Sequence, residues 1–314
     1  MQKQRLKAFK VRKERFQKLR RAVGARRSHL VLRTGGTAAL VYGQANTRVS
    51  NSMLLAQRQA VAAASVHRGA GDLDLTLILA DGGPHGKADP AFAAHEDPIG
   101  MWAEAVWCMW LPRSALTKLA AHAIRSLVSL SSPWASVVGP AGAFVASAQR
   151  LGWTIENALT VRTDCGTTLD LCRDSPAHVR SEVKAAVWRW RWRKVEEKIP
   201  ALHSGQGGHG AHLHPIFRLL QSRPSVNWGP QEQGALRSVV ANRQWPQARL
   251  YSAGKVASRN CRLCVGLGFC NEEETLEALG YHASSRLDLP SDARATAEDG
   301  SKLAASESQE SHSP

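Results

Sequence analysis

The residues with the most definite chemical potential stand toward the C-terminal end, in "CRLCVGLGFC". Cys261 and Cys264 have the C-x2-C spacing that lets two thiolates grip one tetrahedral zinc ion. A closed site needs two more ligands, and Cys270 and His282 are the candidates downstream. The competing reading is a set of unligated, reduced thiols. With Cys108, Cys165 and Cys172 the chain has six cysteines, and the absence of a secretory signal places them in a reducing compartment, where disulfide frameworks are rare. His203, His209, His212 and His214 lie in "ALHSGQGGHGAHLHP", but glycine-rich surroundings supply no partners to orient an imidazole, so this stretch reads as a linker.

A second group of residues could meet a polyanion. In "VWRWRWRKVEEK" (187–198) Trp188, Trp190 and Trp192 alternate with Arg189, Arg191 and Arg193. On a strand the indoles would share one face and stack on bases. On a helix they separate, with Val179, Val183, Ala186, Val187 and Trp190 in one stripe and Trp188, Trp192, Val195 and Ile199 in another. Ser175 followed by Pro176 makes a helix start and Pro200 a stop, so the helix is the simpler reading. At least one stripe then belongs to a core, and the three arginines flank it with phosphate within their reach.

The charge balance points the same way. The chain of 314 residues carries a formal net charge of +15, and residues 1–28 hold twelve Lys or Arg against one acid, Glu14. Lys10, Arg12, Lys13, Arg20 and Arg21 are the candidate phosphate contacts, in a stretch whose Leu6, Phe9, Phe16 and Leu19 suggest a basic helix with a thin apolar seam. Such contacts give affinity and salt dependence with little sequence choice. A solvated tail and a transit peptide are the alternatives. Catalytic constellations are missing: there is no Asp-Asp pair, Walker A, G-x-S-x-G or H-E-x-x-H pattern, and no persuasive carboxylate set for two-metal chemistry. No apolar run is long enough for a transmembrane helix, and no small-molecule substrate is evident.

The elements that must position these residues are mainly helical. Gly35 and Gly36 are expected to break the chain after the basic helix. Two helical pieces follow, the second capped by Ser50 or Asn51. "LDLTLILA" (73–80) is either strand or helix. Two further helices cover 91–110 and 113–130, and Trp102, Val106, Trp107 and Trp110 recur in the first at helical spacing, as core residues do. Pro140 suits the first turn of another helix. The pattern then alternates around "DCG", which predicts a β-hairpin near 158–171, with Asp164 and Asp170 serving the turn. The chain divides into a basic N-terminal arm (1–28), a helical region (29–153), the hairpin with the Trp/Arg helix (154–200), a Gly/His linker (201–215), a small helical module with the cysteine knuckle (216–285) and a polar, Ser-rich tail (286–314) expected to be disordered.

Several strings together resemble the region after the palm in non-LTR retrotransposon reverse transcriptases. "LVLRTGGTAALVYGQANTRVS" (30–50) is similar to the passage from a basic helix into a thumb-like part with a "YG" signature. "ADPAFAAHEDPIGMWAEAVW" (88–107), "LGWTIENALTVRTDCGTTLDL" (151–171) and "VRSEVKAAVWRWRWRKVEEKIPAL" (179–202) look like its continuation, and "WGPQEQGALRSVVANRQWPQARLYSAGKVASRNCRLC" (228–264) like the lead-in to a C-terminal zinc knuckle. The resemblance implies a nucleic-acid-binding fragment that grips RNA template or target DNA while a palm performs synthesis. The family's F/Y-x-D-D turn is not in this chain, nor is an RNase H domain, so polymerase activity would require a palm-containing chain in trans. A structural or protein-interaction module, or a decayed element copy with no selected role, remain the other readings. A nuclear or cytoplasmic location follows from all of them.

Overall fold

A computed structural model describes residues 2–46, 49–65, 71–81, 88–199, 202, 210–222, 225, 228–243 and 247–258. The chain forms two compact units, Met1–Arg237 and Ser238–Pro314. The first holds most of the described elements, and it is mainly α with one small antiparallel sheet. No helix among the described residues is long and apolar enough to cross a membrane.

The basic segment folds as α1 (Gln2–Val31), interrupted at Gly24, where φ 81° and ψ 168° leave the helical region. The seam read from the sequence is real: Leu6 and Phe9 are buried, and the Phe9 ring meets Phe16 at 5.6 Å in a tilted arrangement. They pack with Leu32, Leu40, Ala60, Val61 and Leu77 into a first core, which makes α1 part of a folded layer rather than a loose arm. Gly35 and Gly36 do not break the chain. They lie in a π-helical turn (Leu32–Thr37) that leads directly into α2 (Ala38–Val41). A side chain at Gly36 would meet the Phe16 ring at 2.7 Å, so glycine here serves close approach to α1.

Ser50 caps α3 (Asn51–Ser65), its hydroxyl accepting from the Met53 amide at 3.2 Å. "LDLTLILA" is helical and belongs to α4 (Leu73–Asp81), with Leu75, Leu77 and Ile78 buried. Its run of apolar residues is explained by burial on several sides, which periodicity could not separate from a strand.

The second core lies among α5 (Pro90–Trp107), α6 (Arg113–Leu127), α7 (Gly139–Leu151) and α8 (Pro176–Lys198). Leu116, Ala120, Ala123 and Leu127 recur at i, i+4, i+7 and i+11, which gives α6 one buried stripe. Alanines on α5 and α7 allow close packing, and the Ser147 hydroxyl donates to the Ala94 carbonyl across the two at 3.3 Å. Trp102 stacks on Phe144 at 5.5 Å. Trp102 and Val106 are core, as their spacing predicts, whereas Trp107 and Trp110 are exposed.

Between α7 and α8 the chain forms β1 (Thr154–Ile155), β2 (Thr160–Arg162) and β3 (Thr168–Asp170), antiparallel in that order. Val161 pairs with Leu169 and both are buried, so the expected hairpin is present and gains a third short strand. Left-handed Gly166 (φ 89°) closes its turn. The expected stop at Pro200 holds: α8 ends at Lys198 with Ile199 as its cap, and Ser175 caps its start. Residues of 29–153 and 154–200 therefore share one core. Beyond them come α9 (His214–Gln221) and α10 (Pro230–Val240), and in the second unit α11 (Gln247–Ser252).

Candidate nucleic-acid interface

The alternating arginines of α8 resolve into two sets. Residues two apart on a helix point about 200° apart, so Arg189 and Arg193 face one way and Arg191 the other. Arg189 donates to both oxygens of Asp164 at 2.9 and 2.6 Å, and Arg193 donates to one at 3.2 Å. The Trp153 indole also donates to Asp164, at 3.3 Å. Asp164 thus fastens the hairpin turn to α8, and its hydrogen bonds raise the Arg189 pKa.

Arg191 has a side chain with 0% exposure and lies 2.6 Å from Asp81 and 3.2 Å from Asp89. The second contact is an ion pair without hydrogen-bond geometry. Asp89 is shared with Arg58 of α3, which donates to both its oxygens at 2.9 and 2.8 Å and to Asp74 at 2.6 Å. Lys198 extends the set to Asp72 and Asp74 at 2.9 and 3.4 Å. Burial alone would push the Asp89 carboxyl up, but the Arg58 and Arg191 guanidiniums outweigh it and hold it below the usual range. Burial wins at Asp81, whose pKa is raised despite Arg191. For Arg58 the two carboxylates prevail over burial and raise its pKa.

This network ties α3, α4, α5 and α8 together. No convergent carboxylate set is visible in the sequence, because Asp72, Asp74, Asp81 and Asp89 converge only through the fold. One signal was available: "DP" at Asp89–Pro90 is a helix start, and Asp89 does accept from the Ala91 amide at 2.9 Å. The four carboxylates are held by Arg58, Arg191 and Lys198, so the network acts as a structural clamp. Among the described residues no group of three or more His, Cys, Asp or Glu could hold a metal. Cys261, Cys264, Cys270 and His282 lie outside the described residues, as do His203 and His209.

The indoles of α8 are packed as well. Trp192 is fully buried and meets Trp188 edge-on at 6.0 Å. Trp190 lies between His95 at 5.5 Å, Arg58 at 5.2 Å and Lys194 at 4.1 Å. Burial, with Arg150 adding to it, pushes His95 down to about 3. Of the three arginines, Arg193 alone keeps substantial exposure, at 42% of its side chain. Arg191 is committed to carboxylates and has no surface to offer a phosphate.

The densest run of surface cations lies on α1. Lys10, Arg12 and Lys13 are exposed and have no ion-pair partner among the described residues, and Arg21 is also exposed. Lys3, Lys7 and Lys10 line an open cleft with Leu6 and Val11. Arg20 is half-buried near Arg237, and burial followed by that like charge lowers the Arg237 pKa. Burial, with Arg33 and Arg20 nearby, also pushes His29 down to about 4. The arrangement is a docked helix whose apolar side is core and whose other side is cationic.

The fold is mainly helical, and α1 carries a basic face. No protein-family model matches the chain, and no curated protein or solved structure matches it either.

Proposed function

We propose that the chain binds RNA or DNA through the cationic face of α1, as a nucleic-acid-gripping fragment of a retrotransposon-type reverse transcriptase. The observation that carries this reading is the pairing state of the cations. Arg58, Arg189 and Arg191 are matched by acids and Arg150 is held by the Val49 carbonyl and the Trp134 ring, whereas Lys10, Arg12 and Lys13 present unpaired charge on a helix anchored by Leu6 and Phe9. Phosphate is the ligand such a face attracts, and binding of this type discriminates little between sequences. Arg20 and Arg21 would extend the contact along the same helix, and Arg193 would support it from α8. Synthesis would fall to a palm-containing polymerase chain in trans, which should then copurify. A knuckle of Cys261 and Cys264, completed by Cys270 and His282, would hold zinc and stiffen the C-terminal part. Metal analysis of Cys261→Ser against the parent chain tests that part, with loss of bound zinc expected. Nuclear and cytoplasmic locations both suit the reading.

The test is fluorescence anisotropy with labelled single-stranded RNA and duplex DNA across a salt series. The full chain is compared with the triple variant Lys10→Gln, Arg12→Gln, Lys13→Gln. Tight binding that weakens in the variant, with an unchanged melting curve, is expected. Absence of binding at low salt for the full chain defeats the reading.

A further inference from the structure

The turn after α5 combines exposed indoles with an unusual backbone. Trp107, Met109, Trp110 and Leu111 are 44%, 63%, 55% and 45% exposed. The Met109 amide donates to Val106 and the Trp110 amide to Ala105, at 3.3 and 3.0 Å, which is a Schellman helix end. The same pair of bonds closes α7, α10 and α11, where the left-handed residue is Gly152, Asn242 and Gly254. At α5 it is Met109, with φ 49°. A long side chain is held in a conformation that glycine adopts at no steric cost, at the position that turns Trp110 outward.

The adjoining surface carries Arg113, Lys118 and Arg125 and no acid. Ser114, Lys118, His122 and Arg125 recur at i, i+4, i+8 and i+11 on α6, all exposed, and so does Arg113 at its first position. The stripe is about 16 Å long at 1.5 Å per residue. From Ala105 through Ile155 the sequence contains no Asp or Glu. The nearest acid before the turn, Glu104, is paired with Arg180 at 3.3 Å. Flat indole faces that lead into a row of cations match the alternation of base and phosphate in a single strand, where aromatic rings supply sequence-tolerant stacking. Leu119 on α6 is exposed beside Lys118, as are Met109 and Leu111 in the turn, so a lipid surface is the competing occupant and an arm of the test.

We infer that the turn 107–111 and the outer stripe of α6 form a base-stacking platform for unpaired nucleotides, separate from α1. Trp107 and Trp110 stack on bases while Lys118 and Arg125 take the phosphates. This rests on the nucleic-acid reading above and adds to it a preference for single strands. The preference arises because a duplex keeps its base faces covered.

The experiment measures affinity for a short oligouridine and for duplex DNA of similar length, using Trp107→Ala/Trp110→Ala in the full chain. Affinity for oligouridine should fall by about tenfold or more, with duplex affinity and melting midpoint unchanged. Trp110→Phe should retain most of the binding. Unchanged oligouridine affinity in the double variant overturns the platform and leaves the α1 reading standing. Equal losses on both nucleic acids also overturn it. So does a loss confined to phosphatidylserine–phosphatidylcholine vesicle binding, which would assign the turn to a membrane surface. If the parent chain binds neither nucleic acid, both proposals fall, whereas the α1 triple variant weakening both leaves the platform's own test intact.

Discussion

At the scale of single residues, the decisive fact is which charges have partners. Arg191 sits inside the protein with two carboxylates, so replacing it with methionine fills the space but strands Asp81, while Asp89 keeps Arg58. Removing one member of a buried pair costs about 3 kcal/mol or more. Arg191→Met should therefore lower the unfolding midpoint in a denaturant titration, while Arg193→Met, half-exposed and sharing Asp164 with Arg189, should cost under about 1 kcal/mol. Equal effects would defeat the ion-network account. A pH prediction follows from the buried histidines. His95 and His29 are pushed from 6.5 to about 3 and about 4, so both are neutral in the folded chain across the mildly acidic range. The unfolded chain binds more protons there, so stability falls as pH drops from about 7 toward 4. The lowered Asp89 adds a loss of the same sign at lower pH, while the raised Asp81 acts against it. Thermal midpoints should decline over that window, and His95→Gln should flatten the decline. A flat profile for the parent chain would contradict it. The sequence could show that Trp and Arg alternate, but which arginine is interior depends on Asp81 and Asp89, more than 100 residues away.

At the scale of elements, caps and periodicity were legible and turn chemistry was less so. Ser175–Pro176, Pro140 and the alternation around "DCG" each fixed a boundary because the signal is local. Trp107 and Trp110 continue the helical spacing of Trp102 and Val106, so pattern alone placed them in the core. The helix instead stops at Trp107, one turn early, and a left-handed Met109 redirects the chain. No glycine marks this stop, which removed the usual cue. Relieving that strain, Met109→Gly should stabilise the protein by about 1 kcal/mol while leaving the fold unchanged, measurable as a rise in melting midpoint. A decrease would show that the Met109 side chain contributes packing that outweighs the backbone cost. Gly210 gives the opposite case. It has φ 77°, and an added Cβ would stand 2.1 Å from the Trp192 ring. Gly210→Ala should thus lower the midpoint by about 1 kcal/mol or more, since both the conformation and the space exclude a side chain. The Gly-rich stretch read as a linker therefore includes at least one residue packed on an α8 indole.

At the scale of the whole molecule, the net charge of +15 is distributed unevenly. Arg58, Arg189 and Arg191 are neutralised in place by acids, and the excess gathers on α1 and on the outer face of α6. Composition revealed the excess and the N-terminal run, but it could not show that α1 is docked. Leu6, Phe9 and Phe16 looked like a thin seam on an arm, yet they close a core with Leu32, Leu40, Ala60 and Val61. Deleting 1–28 would expose those residues, so loss of binding in such a deletion would report unfolding as readily as lost contacts. Charge removal with the apolar seam intact separates the two. Each phosphate contact contributes about 0.7 to 0.9 to the slope of log affinity against log salt. Changing Lys10, Arg12 and Lys13 to glutamine should therefore reduce that slope by about 2 to 3 if all three touch phosphate, with the midpoint of unfolding held. An unchanged slope would move the electrostatic contact off this part of α1 and leave the α6 stripe as the remaining cationic surface. An unchanged slope with weaker binding would mean that these side chains act through packing on the partner, a result incompatible with their role as phosphate contacts.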